Sequence, residues 1–335
     1  MKILVTGGSG YVGSVLVPKW LANGHDVIVY DALYYGQFLP SHPKLTVIDA
    51  DIRDQAAFSR ACNGVNALLH LASISNDPSE TLPPSVVESI NYTSLDTILT
   101  LTQKAGVERF IFASSTSVYG RTTCPLVDEK SPVAPITLYA KTKAACEKIA
   151  LQHADGDMIL TVIRPATVYG YSPRMRFDLI VNRMILEALQ TGNICLNSNI
   201  MSNIRPTVHI EDLADFYTTV LSAPEPLIRG EIFNLCYQNI TLYQIAETIA
   251  KTIYEHMGKQ IPLSTREGPA IDQRSYSVSA GKARKILGFE QRKDLAIATC
   301  QLCDMKSQGL LPENLNADRY NNVTCLQKVF QPEKT

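Results

Sequence analysis

A chain of 335 residues, at roughly 150 residues per domain, has room for about two domains or for one large α/β body with an appendage. Its 45% hydrophobic and 19% charged residues exclude a disordered tail protein and a coiled coil. Thirty-one Lys plus Arg against 32 Asp plus Glu leave a formal charge of -1. No global basic field gathers nucleic acid or an anionic membrane, so an anionic ligand has to be met by local groups.

The N-terminal apolar run meets glycine at Gly7, too soon for a signal-peptide core, and no window holds eighteen consecutive apolar residues. This predicts a cytoplasmic protein. Residues 3–5 read as a short buried strand, and 11–22 have helical periodicity that stops at Asn23-Gly24. Further strands are expected at 27–30, 45–48, 67–71, 109–113 and 158–163, with helices near 54–61, 84–104 and 136–153. Strands apolar on both faces and separated by helices give a parallel, doubly wound α/β sheet. From 171 the rhythm changes to longer loops, helices at 178–190, 210–222 and 241–256, and short strands at 206–209 and 231–235. The expected organisation is a dinucleotide-binding domain over 1–170, with segments such as 206–235 returning to it. A smaller, interwoven C-terminal α/β substrate domain follows over 171–308, and then a polar, loosely packed tail over 309–335. The eight cysteines lie in apolar stretches without disulfide spacing. Cys300 and Cys303 form a lone C-x-x-C with no second pair and no nearby His, so no metal is expected.

After the first strand the chain reads Thr6-Gly7-Gly8-Ser9-Gly10-Tyr11-Val12-Gly13. Glycines at 7, 10 and 13 permit a tight turn, bring backbone N–H groups of a helix N-terminus to a pyrophosphate, and allow close helix–strand packing. The strand before and the helix after supply the context of a Rossmann-type fold. The next strand ends at Asp31, 18 residues beyond Gly13. A carboxylate there accepts hydrogen bonds from ribose hydroxyls and repels a 2′-phosphate, and no Lys or Arg occurs between Lys19 and Lys44. NAD is expected rather than NADP. Asp51, followed by Ile52, either reaches the adenine amino group or closes an ordinary loop.

Tyr139 and Lys143 stand four residues apart at the start of an amphipathic stretch, on one helix face, while Lys141 points elsewhere. An ammonium near a phenol favours the phenolate, which lets Tyr139 act as general base on a sugar hydroxyl. Ser114-Ser115-Thr116-Ser117 follows the apolar strand 110–113, at the strand edge where ligands collect. Ser115 is expected to hydrogen-bond the reacting oxygen.

With T-G-G-S-G-Y-V-G at 6–13, H-L-A at 70–72, S-S-T-S-V-Y-G at 114–120, Y-A-K-T-K at 139–143, R-P-A-T-V-Y-G at 164–170 and R-P-T-V-H-I-E-D at 205–212, the chain resembles the NAD-dependent epimerase/dehydratase family of extended short-chain dehydrogenases/reductases. The similarity covers residues 1 to about 305. It implies Ser115, Tyr139 and Lys143 as catalytic residues, with Lys143 also on the nicotinamide ribose. It places Gly7, Gly10, Tyr11, Val12, Asp31, Asp51 and Ile52 around NAD and Leu71 and Ala72 along the cofactor wall. Asn91 lies near the cofactor or makes a helix-interior hydrogen bond. Helices 84–104 and 136–153 are expected, by family analogy, to pack against a second copy in a homodimer.

The family's 4,6-dehydratases carry an adjacent Asp-Glu where this chain has Thr116 and Ser117, which disfavours dehydration, and the same substitution disfavours decarboxylation. Thr167 stands where many epimerases have Asn, leaving Thr116 and Thr167 as neutral candidates for sugar contacts. Arg174 and Arg176 in S-P-R-M-R-F-D-L, Arg205, and Arg274 in D-Q-R-S-Y are candidates for a substrate diphosphate, because guanidinium forks suit phosphate oxygens. The expected activity is 4-epimerisation of a UDP-hexose through a 4-keto intermediate. The alternatives are a nucleotide-sugar 4-oxidase or 4-keto reductase acting on GDP-, dTDP- or CDP-linked deoxysugars or heptoses, and a catalytically silent NAD-binding sensor.

Overall fold

The structure is a computed structural model that describes residues 1–75, 81–154, 156–268, 274–311 and 318–330. Its first half repeats strand and helix. β1 (Lys2–Thr6), α1 (Gly13–Ala22), β2 (Asp26–Asp31), β3 (Leu45–Asp49), α2 (Gln55–Ala61) and β4 (Ala67–His70) are followed by α3 (Pro84–Glu88), α4 (Ser94–Lys104), β5 (Arg109–Ala113), α5 (Leu138–Gln152) and β6 (Ile159–Pro165). The second half runs β7 (Thr167–Tyr169), α6 (Ile180–Thr191), β8 (Ile194–Asn197), β9 (Ile204–His209), α7 (Ile210–Ser222), β10 (Glu231–Leu235), β11 (Gln238–Thr241) and α8 (Leu242–Met257). It continues through β12 (Leu263–Arg266), α9 (Gly281–Leu287), α10 (Leu295–Ser307) and α11 (Asn322–Phe330).

Seven strands pair in the order β10-β6-β5-β4-β1-β2-β3, every neighbour parallel. The order reverses between β1 and β4, and the crevice beyond their C-terminal ends is where an open α/β sheet takes its ligand. Alternation along each strand fills both faces. Ile3 and Val5 join Trp20 of α1 and Phe216 of α7, while Leu4 joins Phe58 of α2 and Leu99 of α4. Each fully buried side chain of this size contributes about 1.5–3 kcal/mol, which makes this double layer a rigid platform for the strand ends.

The segment expected to return to the first domain divides. α7 packs on α1 and β10 extends the main sheet beside β6, whereas β9 belongs to a separate sheet ordered β11-β9-β7. β8 and β12 form a two-stranded sheet, and a third core, with Ile185, Ile249 and Leu302, joins α6, α8 and α10.

The helix expected over 84–104 is interrupted by a π-helical turn at Ser89–Thr93. The wider turn frees the Asn91 carbonyl to accept from the Cys146 thiol at 3.0 Å and aims its side chain out of the helix. The C-terminal stretch also differs from the loose tail expected of it. Within the described 318–330, Tyr320, Val323 and Leu326 are buried and α11 packs against the β2 side of the main body.

Two histidines are buried at strand ends. His70 pairs through Nδ1 with Thr6 Oγ1 at 2.8 Å, and His209 accepts the Glu211 N–H at 3.1 Å as the cap of α7. Burial pushes His70 down to about 3 and His209 down to about 4. The unfolded chain therefore binds more protons than the folded one below pH 6.5, so this stability is complete above 6.5 and is lost as pH falls toward 4. Each histidine is expected to cost about 2 kcal/mol between pH 6.5 and 5. Urea unfolding of wild type and His209→Gln at both pH values checks this, the variant losing about one proton's worth less.

Candidate active site

The cleft begins at the turn after β1. Gly7 has φ of +71°, and a Cβ there would lie 2.7 Å from the Ala72 nitrogen; at Gly13 it would lie 2.3 Å from the Gly8 carbonyl oxygen. Only glycine lets this loop pass so close to its neighbours, and the closeness turns the first N–H groups of α1 toward the cleft. Gly10, Tyr11 and Val12 line it, with Leu71 and Ala72 as the facing wall. Asp31, at the end of β2, accepts N–H groups from Ser9 and Leu33, each at 2.9 Å, which fixes its carboxylate on the lining. Burial pushes its carboxyl upward, against those two hydrogen bonds.

Asp51 also lines the cleft, beside Ile52, but its oxygens are engaged. Tyr34 donates to it at 2.7 Å, and Arg53 donates through Nε at 2.8 Å and Nη2 at 2.7 Å. Burial raises this carboxyl, yet the Arg53 and Tyr34 hydrogen bonds outweigh it and hold it at about 2. Asn91 stands one layer behind the lining. Its Oδ1 accepts the Ile74 N–H at 2.7 Å and its Nδ2 donates to the Ile74 carbonyl at 3.0 Å, so it pins the segment after β4 that walls the cleft.

At the end of β5, Ser115 opens a 3-10 turn over Thr116–Tyr119, its Oγ accepting the Ser117 N–H at 3.1 Å. Tyr139 lies in the first turn of α5, which is capped by the Thr137 hydroxyl accepting the Ala140 N–H at 3.2 Å. One turn on, Lys143 donates to the Ala113 carbonyl at 2.7 Å and stands 5.9 Å from the centre of the Tyr139 ring. Lys141 is exposed, as the spacing requires. Burial pushes the Lys143 ammonium down to about 8. Ser115, Tyr139 and Lys143 share the cleft with the glycine turn.

Behind this group runs a buried polar chain that sequence reasoning did not find. Glu147, one turn after Lys143, accepts from Arg164 Nε at 2.8 Å and Nη2 at 2.6 Å, and also from the Ser114 hydroxyl. Arg164 Nη1 in turn donates to the Tyr119 hydroxyl at 2.8 Å. The chain ties α5, β6 and the serine loop together.

Beyond Ser115 the lining is polar but not acidic. Thr116 Oγ1 and the Tyr276 hydroxyl are 3.5 Å apart, and Arg274 Nη1 reaches Ser117 Oγ at 3.5 Å. Arg205 donates to the Ile204 carbonyl at 3.1 Å and to the Arg274 carbonyl. Thr167 completes this end, while Asp272 and Gln273 of the D-Q-R-S-Y motif lie outside the described residues.

Arg174 and Arg176 lie elsewhere in the cleft. Arg176 is bound to Asp178, Nη2 to Oδ2 at 2.7 Å, and donates to Ser75 Oγ at 3.0 Å; Arg174 lies over the Tyr35 ring, 4.0 Å from its centre. α11 also reaches this end, Asn322 Nδ2 to Ser75 Oγ at 3.3 Å and the Cys325 thiol to the Tyr34 carbonyl at 3.2 Å. The residues expected from sequence to form the site, all except Asn91, line one cavity of about 720 Å³. Among the described residues, no group of three or more His, Cys, Asp or Glu is placed to hold a metal ion, and no helix is long and apolar enough to cross a membrane.

The profile of the NAD dependent epimerase/dehydratase family matches residues 3–236, and the chain belongs to that family. It is 28% identical to UDP-glucose 4-epimerase of Lactobacillus helveticus over 88% of this chain and 93% of that one. It is 27% identical to 3 beta-hydroxysteroid dehydrogenase/Delta 5-->4-isomerase of Mycobacterium tuberculosis over 81% of this chain and 73% of that one. Among solved structures, UDP-glucose 4-epimerase of Thermotoga maritima with UDP-glucose superposes with a TM-score of 0.82 at 23% identity, covering 93% of this chain and all of that one. The family's NAD fits the site: the glycine turn, whose close approach to Ala72 leaves no room for a Cβ, lines the cleft beside Asp31, and among the described residues the Arg174 Nε is buried without a hydrogen-bond partner.

Proposed function

We propose that the protein is a nucleotide-sugar 4-epimerase acting on a UDP-hexose, with Tyr139, Lys143 and Ser115 as its catalytic residues. The observation that carries the reading is the distribution of charge in the cleft. Its described carboxylates are each engaged: Asp31 by backbone N–H groups, Asp51 by Arg53 and Tyr34, and Asp178 by Arg176. Thr116 and Ser117 supply no acid beside Ser115, so the chemistry is confined to moving a hydrogen on and off one carbinol.

NAD, when bound, supplies a reversible acceptor for the hydrogen on the sugar's C4. The protein supplies the rest. The Tyr139 phenolate takes the proton of the 4-hydroxyl while Ser115 holds the same oxygen. The Lys143 ammonium stabilises the phenolate electrostatically, and it does so below about pH 8, where burial lets it keep its charge. Once the 4-keto sugar presents its opposite face, Tyr139 returns the proton and the other epimer forms. Arg205 and Arg274, with Thr116 and Thr167 beside them, line the end that receives the sugar diphosphate.

A second reading keeps only the first half of this cycle, a dehydrogenase that releases the ketone, and the likeness to the mycobacterial hydroxysteroid dehydrogenase favours it. Two adjacent guanidinium groups suit a diphosphate better than a steroid, which is why epimerisation is preferred. Three catalytic side chains in one cleft argue against a silent sensor. The faces of α4 and α5, with Tyr92 exposed in the π-helical turn beside them, form the surface that a second copy would cover in a homodimer. Incubation with UDP-glucose and UDP-galactose separately, followed by chromatography, tests the substrate: each should yield the same mixture of both.

A further inference from the structure

Arg174 is 1% exposed and has no ion pair among the described residues. Among the described residues its Nε is buried without a partner, and of its other donors only Nη2 is engaged, with the Arg319 carbonyl at 3.3 Å. A guanidinium withdrawn from water in this way is costly to the fold unless an anion completes it. Burial already pushes it down to about 10.

The position of the side chain identifies the anion. Ser172, two residues earlier, donates from Oγ to the Tyr11 carbonyl at 2.7 Å, which holds the Arg174 segment against the turn that opens α1. Arg174 itself lies on Tyr35, four residues beyond Asp31, and its charge acts on the Asp31 carboxyl. No Lys or Arg lies between Lys19 and Lys44 in sequence, yet the fold brings Arg174 onto Tyr35 from 139 residues away. The other cations of the lining are committed: Arg176 to Asp178, Lys143 beside Tyr139, and Arg205 and Arg274 at the far end. The N–H groups of the glycine turn offer hydrogen bonds but no full charge.

We propose that Arg174 binds a phosphate oxygen of the dinucleotide's diphosphate, and not the diphosphate of the sugar nucleotide. The stack on Tyr35 orients the guanidinium, and the phosphate takes the donors that the protein leaves unmatched. The assignment rests on the dinucleotide reading of the glycine turn and is independent of the sugar's identity.

The test is calorimetric titration of the full-length protein, freed of nucleotide, with ADP-ribose and separately with UDP, in wild type and Arg174→Met. The variant should bind ADP-ribose about 10- to 100-fold more weakly, as expected for one lost charge-assisted hydrogen-bond pair, and UDP within twofold of wild type. The nucleotide-free variant should unfold at no lower temperature than wild type, because an unmatched buried cation has been removed. A loss confined to UDP, an equal loss of both ligands, or unchanged ADP-ribose binding would each overturn the assignment. The wild-type titration alone reports on the dinucleotide reading; the ratio of variant to wild type reports on Arg174.

Discussion

Tyr139→Phe is expected to lower kcat more than a hundredfold, a loss above about 2.7 kcal/mol in transition-state stabilisation, while NAD affinity stays within a few-fold of wild type. The asymmetry follows from geometry. In the proposed mechanism the deleted hydroxyl exchanges a proton with the reacting carbinol, whereas the groups proposed to hold the cofactor, the glycine turn, Asp31 and the wall at Leu71 and Ala72, line the cleft elsewhere. Lys143 keeps its hydrogen bond to Ala113 in the variant, so its position is preserved. Stopped assays with UDP-galactose and a fluorescence titration with NAD separate the two effects. Turnover unchanged in the variant contradicts the mechanism, and an equal loss of NAD affinity makes the hydroxyl a binding group instead.

Glu147→Leu is expected to destabilise the protein by about 3–5 kcal/mol, because Arg164 then remains buried with its charge uncompensated. The pair is bidentate and nearly inaccessible, and Ser114 and Tyr119 are hydrogen-bonded to it. A double variant, Glu147→Leu with Arg164→Leu, removes both charges and should recover part of the loss. Urea unfolding of the three variants gives the coupling. A single variant as stable as wild type would show that solvent or another acid reaches Arg164. Since Ser114 adjoins Ser115 and Glu147 lies one turn from Lys143, kcat should fall in the single variant even at temperatures where it is folded.

The parts of the molecule governed by local pattern were legible in the sequence. The glycine turn, Asp31 at the end of the second strand, and Tyr139 and Lys143 one helical turn apart each follow from spacing within a single element or two adjacent ones. The main sheet was readable for the same reason: its six sequential strands are short, mostly apolar runs. What escaped were features created by packing between distant segments. Nothing near Ser172 indicates that its hydroxyl meets the Tyr11 carbonyl, nor that the fold places Arg174 beside Tyr35 and Arg176 beside Ser75. The buried chain from Ser114 through Glu147 to Arg164 joins three elements, and each residue alone reads as an ordinary polar group. α11 did leave a signal. Val323, Leu326 and Phe330 recur at helical spacing, but the polar residues around them mask a stripe that covers only one face. The short strands β7, β8, β11 and β12 carry three or four residues each, too few for alternation to stand out from loop sequence.

The central claim is that the hydrogen taken from C4 returns to the same carbon before the sugar leaves. The direct test is to incubate the purified protein with UDP-galactose, with no added oxidant or reductant beyond the NAD it needs to be saturated, and to follow absorbance at the NADH band while product accumulates over many turnovers. Epimerisation predicts UDP-glucose in large excess over enzyme with no net NADH beyond what the active sites themselves hold. NADH rising in step with a released keto sugar would contradict it and establish a dehydrogenase.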